Sequence, residues 1–334
     1  MNTPTKLAAY ALGLVAVFGG ATGVGATLGP DGPIGSETSS DADHGGSHGG
    51  DAAGPDPAAG GHAEQEAPSG GSSAEEIPGG LMIAQDGYRL ALAQGDFRTG
   101  VATPITFQIL GPDGRPVTVY DRSHDKDLHL IAVRRDTTGF QHVHPQLGAD
   151  GTWAVPVDLT PGDWRFFADF TPSGHGENLT LGADAAVAGD YDPQPLPEPA
   201  LTADVDGYTV TLDGQLTPGE ESELTLSVSR DGQPVTDLQP YLAAYGHLVA
   251  LRDGDLAYLH VHPAGEPGDG VTQPGPGITF YATAPSTGDY RLFLDFQHGD
   301  VVRTADFTVR AGDADNQGAT PGAAHDDDSH GHGG

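Results

Sequence analysis

Apolar and polar side chains alternate from Thr106 to Leu110 and again from Leu224 to Val228, the period-two pattern of a half-buried strand. Trp164, Phe166, Ala168 and Phe170 fall on one face of an extended segment, and Tyr290, Leu292, Leu294 and Phe296 repeat that arrangement. Turn signals such as Pro112-Asp113-Gly114, Thr160-Pro161-Gly162-Asp163 and Arg230-Asp231-Gly232 punctuate these runs. No window carries a sustained helical period. Short strands at this spacing, about seven per 100 residues, predict an all-β fold of immunoglobulin-like sandwiches.

The pattern occurs twice. Asp113-Gly114-Arg115-Pro116-Val117-Thr118 returns as Asp231-Gly232-Gln233-Pro234-Val235-Thr236. His129-Leu130-Ile131-Ala132-Val133-Arg134 returns as His247-Leu248-Val249-Ala250-Leu251-Arg252, and Phe140-Gln141-His142-Val143-His144-Pro145 as Tyr258-Leu259-His260-Val261-His262-Pro263. The second copy then gains residues in the Gly/Pro stretch from Ala264 to Gly277 before the two realign at Gly162 and Gly288. Two tandem sandwiches are expected, at 81–190 and 201–311, joined by a Pro-rich connector at 191–200.

The ends read differently. Leu7 to Leu28 holds no charged residue and is long enough to span a bilayer core. Residues 1–28 are therefore read as a membrane anchor, the alternative being a signal peptide cleaved near Val24-Gly25-Ala26. Lys6 marks the cytoplasmic side, which places the bulk of the chain outside the membrane. Residues 29–80 carry ten Asp/Glu, His44, His48 and His62, and no Lys or Arg. That composition predicts a disordered linker, and the His/Asp-rich tail at 312–334 is read the same way.

Charge and composition narrow the chemistry. The formal net charge of -33 excludes a nucleic-acid partner, because binding the phosphate backbone needs clustered Lys and Arg. The chain has no Cys and two Met, which excludes disulfides, thiolate sites and a Met-rich copper(I) site. Histidine remains, with fifteen residues. His129, His142 and His144 recur in register as His247, His260 and His262. His175 and His298 follow the strands ending at Phe170 and Phe296, and His124 has Leu242 at its counterpart position.

On a strand His142 and His144 project from one face, with Cα atoms about 6.5–7 Å apart. If the strand after His129 pairs antiparallel with theirs, three imidazoles converge. Neutral imidazoles suit Zn(II) or Cu(II) better than Mg(II) or Ca(II). One three-His site per repeat is expected, with His175 and His298 as further ligands. Two other readings stay open: structural His bonded to loop carbonyls, and a pH switch. Asp169 and Asp295 are read as solvent-face partners of Arg165 and Arg291, with an outer-sphere role at the metal as the alternative.

At the two His-x-His-Pro segments the chain resembles exported bacterial β-sandwich domains that handle copper and heavy metals, of the YtkA-like and CopC-like kind. Its N-terminal segment is similar to single-pass anchors of actinobacterial surface proteins. The resemblance implies a metal-binding or metal-delivering protein at the outer membrane face, without turnover. Its partners would be the membrane itself and a metal transporter or other surface protein. The alternative is an immunoglobulin-like interaction module whose His only knit strands together. A zinc hydrolase is the third class, disfavoured because no carboxylate base stands at an obvious spacing.

Overall fold

The computed structural model describes residues 77–312. The readings of residues 1–76 as anchor and linker, and of 313–334 as tail, lie outside the described residues. The described residues are strands and connecting loops, and no helix among them is long and apolar enough to cross a membrane.

The chain forms two tandem immunoglobulin-like β-sandwiches. In the first, one sheet runs Ala84–Gln85, Tyr88–Leu92, Gly100–Leu110, Thr152–Leu159, Gln146–Leu147. The facing sheet runs Asp96–Arg98, Leu179–Ala188, Gly162–Pro172, Leu128–Arg134, Gln141–Val143. In the second sandwich, Thr202–Val205, Tyr208–Gly214, Glu221–Arg230, Gly277–Thr283 and His260–Pro263 oppose a sheet of Gly246–Arg252, Gly288–His298 and Val301–Ala311. The alternating residues read from the sequence fill the two cores. Trp164, Phe166, Ala168 and Phe170 pack with Phe107 and Trp153, and Tyr290, Leu292, Leu294 and Phe296 pack with Leu226 and Phe280.

Alternation does not account for the strand Leu128–Arg134, which is buried at every position. Its second face, with that of Gly246–Arg252, closes a third apolar cluster between the sandwiches. Ile131, Val133 and Phe167 from the first repeat meet Val249, Leu251, Leu256 and Phe293 from the second. Phe140 stacks on Phe293 with ring centroids 4.0 Å apart. Strands covered on both faces read as continuous apolar runs, which Leu130-Ile131-Ala132-Val133 and Leu248-Val249-Ala250-Leu251 are. Each large apolar side chain fully buried there contributes about 1.5–3 kcal/mol.

Residues 77–80, at the end of the segment read as a linker, are among the described residues. Gly79 and Gly80 belong to a strap that lies along the first sandwich and touches the second. Gly79 bridges Tyr258, and the Gly80 amide donates to Thr180 O at 2.7 Å. The strap lies flat because residue 182 is glycine; a Cβ there would collide with the Gly80 carbonyl.

Candidate metal centre

The histidine strand of the first repeat begins at a tight turn. His124 and Asp125 have φ of 49° and 63°, and Ser123 and Lys126 exchange backbone hydrogen bonds across them. Positive φ at both central residues marks the turn type that matches strand twist. The turn aims the Ser123 carbonyl at His129, whose Nε2–H donates to it at 3.0 Å. That bond leaves Nδ1 of neutral His129 as the lone pair.

Antiparallel pairing of Leu130 with Val143 and Ile131 with His142 brings the next strand alongside. His142 Nε2 lies 3.0 Å from His129 Nδ1, and His144 Nε2 lies 3.2 Å from it. The ligand atoms of His129, His142 and His144 all fall within 4.8 Å of one another.

The second repeat supplies what holds His142. Its Nδ1 lies 2.9 Å from Asp295 Oδ2 across the seam, and Thr304 Oγ1 donates to Asp295 Oδ1 at 2.5 Å. With Nδ1–H donating to that carboxylate, Nε2 of neutral His142 is left as the lone pair. A carboxylate behind a histidine is the outer-sphere arrangement that fixes the tautomer of metal-bound imidazoles.

Asp295 is therefore not the solvent-face partner of Arg291; it is only 4% exposed. Residues four apart on a strand are about 13 Å apart, so each Arg takes a cross-strand acid instead. Arg165 pairs with Asp184 directly opposite it at 2.8 Å, and Arg291 pairs with Asp306. Asp169 accepts from Asn178 Nδ2 at 2.7 Å, and burial raises the pKa of its carboxyl.

His247 does not join His260 and His262 in a ligand group. Its ring centroid lies 5.0 Å from that of His124, 6.0 Å from His142 and 6.4 Å from His129. Its Nε2 lies 2.9 Å from Tyr241 O and 3.1 Å from Leu242 O, so the proton sits there. Burial holds His129 down to about 3, and the closeness of His142, which disfavours a second positive charge, adds to the effect. Burial likewise lowers His144 to about 3 and His247 to about 4. All three imidazoles are neutral at pH 7, the form a metal needs.

His260 and His262 lie next to one another, with centroids 5.6 Å apart, but on the opposite sheet. Their strand pairs with Gly277–Thr283 rather than with Gly246–Arg252, so His260 stands opposite Thr283. The physical reason is an early crossing between sheets. In the first repeat the chain stays on the His129 sheet through Val143 and joins the other sheet only at Gln146. In the second, the Leu259 amide still donates to Ala250 O, yet His260 already pairs across the sandwich.

His175 and His298 face their own repeats. His175 packs edge-on to Tyr88 and lies 3.8 Å from Asp86, with Glu177 close by. His298 Nδ1 lies 2.7 Å from the Tyr208 hydroxyl, and its Nε2 lies 3.1 Å from Asp237.

A cavity of about 790 Å³ opens beside the cluster along the seam. His124, His129, His142, His247, His260 and His262 all line it, with Asp169 as its acid and no Lys or Arg.

Fold and site together define a tandem β-sandwich protein with a histidine nest at the seam between its repeats. The chain belongs to the family described as domain of unknown function DUF8832, whose domain it matches twice, at residues 83–187 and 203–313. No curated protein matches the chain. Among solved structures, the Escherichia coli adhesin FdeC is similar at 15% identity and a TM-score of 0.21, over 69% of this chain and 65% of that one. InvD of Yersinia pseudotuberculosis is similar at 12% identity and a TM-score of 0.23, over 72% and 62%. The D0-D1 domain of intimin is similar at 11% identity and a TM-score of 0.20, over 66% and 96%. The chain spans less than two thirds of the FdeC and InvD structures. These likenesses are too low to bear on function.

Proposed function

We propose that the protein binds a divalent transition metal, Zn(II) or Cu(II), through His129 Nδ1, His142 Nε2 and His144 Nε2, without catalysing a reaction. One observation carries this reading. Outer hydrogen bonds donated by His129 Nε2–H to Ser123 O and by His142 Nδ1–H to Asp295 turn two lone pairs toward each other at 3.0 Å, with a third nitrogen 3.2 Å from one of them. One proton joins only two nitrogens at a time; a metal ion satisfies all three. Metal–nitrogen bonds of about 2.0–2.1 Å put tetrahedral neighbours about 3.3 Å apart, close to the spacing found. His129 and His142 also line the cavity, which leaves room there for a fourth ligand. Placement outside the cell membrane rests on the apolar run Leu7–Leu28 and on the resemblance to exported metal-handling domains.

A second reading has its own support. His129 and His247 both donate to loop carbonyls, as structural histidines do, and tandem sandwiches suit an interaction module at the cell surface. Metal stoichiometry separates the two. The measurement uses full-length protein in which His44, His48, His62, His325, His330 and His332 are replaced by Ser. Zn(II) retained after dialysis, and lost in His142→Ala/His144→Ala, supports the metal site. Absence of retained Zn(II), Cu(II), Ni(II) and Co(II) favours the interaction module.

A further inference from the structure

A second group of metal-ligating side chains shares no residue with the histidine nest. Asp86, His175 and Glu177 each place a ligand atom within 4.8 Å of the other two. Two turns bring them together. Gln85 pairs with Tyr88, so Asp86 and Gly87 are the central residues of a hairpin, with φ of 52° and 82°. Positive φ at both is the turn that matches strand twist, and Asp tolerates it. His175 sits between Gly174 and Gly176, with φ of 85° and 88°, in the loop between the strands Gly162–Pro172 and Leu179–Ala188. Its amide donates to Pro172 O at 3.0 Å, and its ring packs edge-on to Tyr88, the residue after the hairpin turn. His175 Nε2 then lies 3.8 Å from Asp86 Oδ2. That nitrogen is buried and has no hydrogen-bond partner among the described residues.

The second repeat shows what this place requires. Asp206-Gly207-Tyr208 repeats the turn, with φ of 49° and 81° at Asp206 and Gly207, and His298 packs edge-on to Tyr208. There the chain supplies its own partners. His298 is hydrogen-bonded to the Tyr208 hydroxyl and to Asp237. Arg303 pairs with Asp206 at 3.6 Å and lays its guanidinium over the Tyr208 ring. Arg303 stands opposite Phe296 in its ladder; the residue opposite Phe170 is Leu179, which is buried and apolar. The first repeat thus keeps the acid and the histidine, adds Glu177, and lacks the cation. Among the described residues no Lys or Arg pairs with Asp86 or Glu177; Asp86 has His175 and a 3.4 Å hydrogen bond from Gln85.

We propose that Asp86, His175 Nε2 and Glu177 bind a divalent transition-metal ion, Zn(II) or Mn(II), which stands where the second repeat uses Arg303. One imidazole with two carboxylates suits these ions, and the imidazole disfavours Mg(II) and Ca(II). Bonds of about 2.0–2.2 Å put neighbouring ligand atoms about 3.4 Å apart, so the exposed Asp86 side chain need turn only slightly from 3.8 Å. A bound ion ties the Asp86 hairpin of one sheet to the His175 loop of the facing sheet. Asp86 and Glu177 are exposed, so water completes the coordination and the ion is held far more weakly than by three buried imidazoles. It leaves on dialysis.

The test is an NMR titration of the full chain carrying the six Ser replacements outside the sandwiches, with labelled histidine rings. The first equivalent of Zn(II) is expected at His129, His142 and His144. Further Zn(II) should shift the His175 ring resonances in a saturable step, and Mn(II) should broaden them. In calorimetry His175→Gln abolishes this later step, and Asp86→Asn and Glu177→Gln each weaken it while leaving the first unchanged. Both carboxylates are exposed, so these two variants keep the fold. His175 resonances that stay in place under excess Zn(II) and Mn(II) overturn the site. A later step unaltered in Asp86→Asn/Glu177→Gln overturns it too, because the ion then sits elsewhere. A missing first step with the His175 step intact supports this site and removes only the reading at His129, His142 and His144.

Discussion

The first repeat gathers its three histidines and the second does not, although both carry the same residues in the same register. The difference lies in where the chain leaves one sheet for the other. Through Val143 the first repeat holds its His-x-His segment against the strand of His129, whereas the second has changed sheets by His260. The Gly/Pro stretch Ala264 to Gly277, within which the second repeat gains residues, follows that early crossing directly. The second repeat contributes to the three-histidine site in another way, through Asp295 and the neighbouring His247. A duplicated motif has thus become one composite centre and one ungathered counterpart.

The largest expected effect separates the two halves outright. His142→Ala/His144→Ala should abolish the metal-induced rise in melting temperature at pH 7.5, whereas His260→Ala/His262→Ala should keep most of it. In the parent that rise corresponds to about 2.7 kcal/mol at a hundredfold excess of metal over Kd. Equal losses in both variants would mean that the repeats are equivalent after all.

Next comes the seam. Phe293→Ala removes the ring stacked on Phe140 and should cost about 3–5 kcal/mol in chemical denaturation. Because the third cluster draws on both sandwiches, the loss should move a single transition rather than split off the second repeat. Two separated transitions in the parent would show that the repeats are independent.

Asp295→Asn should weaken Zn(II) binding by about 10–100-fold without removing it, as loss of an outer-sphere carboxylate does. Asp169→Asn should leave that tight affinity unchanged. A matching loss from Asp169→Asn would break the asymmetry between the two acids.

The smallest effect is the metal-free pH dependence. His129, His144 and His247 have pKa values lowered from 6.5 to about 3, about 3 and about 4. Between those values and 6.5 the unfolded chain binds more protons than the folded one, so stability falls as pH falls through that window. Thermal melts should be flat above about pH 7 and decline steadily from about 6.5 downward. Replacing His129 with Gln should flatten part of that slope. A melt that strengthens on acidification would contradict neutral, buried imidazoles.

Much of this was legible in the sequence. Period-two runs and the repeat itself give the two sandwiches and their cores, since alternation reports directly on a half-buried strand. The His129, His142 and His144 cluster follows from strand geometry and antiparallel pairing. The seam was less legible. Ile131, Val133 and Phe167 sit on the face that alternation assigns to solvent, and only the unbroken apolar runs signal a second cover. Asp295 was out of reach because its partner His142 lies in the other repeat, and pairing within one repeat cannot locate a contact between two. The fate of His260 and His262 turned on a strand changing sheets, which depends on tertiary packing after Leu259 rather than on the local residues.

The most direct measurement is anomalous X-ray diffraction from crystals of the protein loaded with one equivalent of Zn(II). The account predicts a single strong peak within bonding distance, about 2.0–2.1 Å, of His129 Nδ1, His142 Nε2 and His144 Nε2, with Asp295 still hydrogen-bonded to His142. A first peak at His260 and His262, or no bound zinc in the fully folded protein, would contradict it.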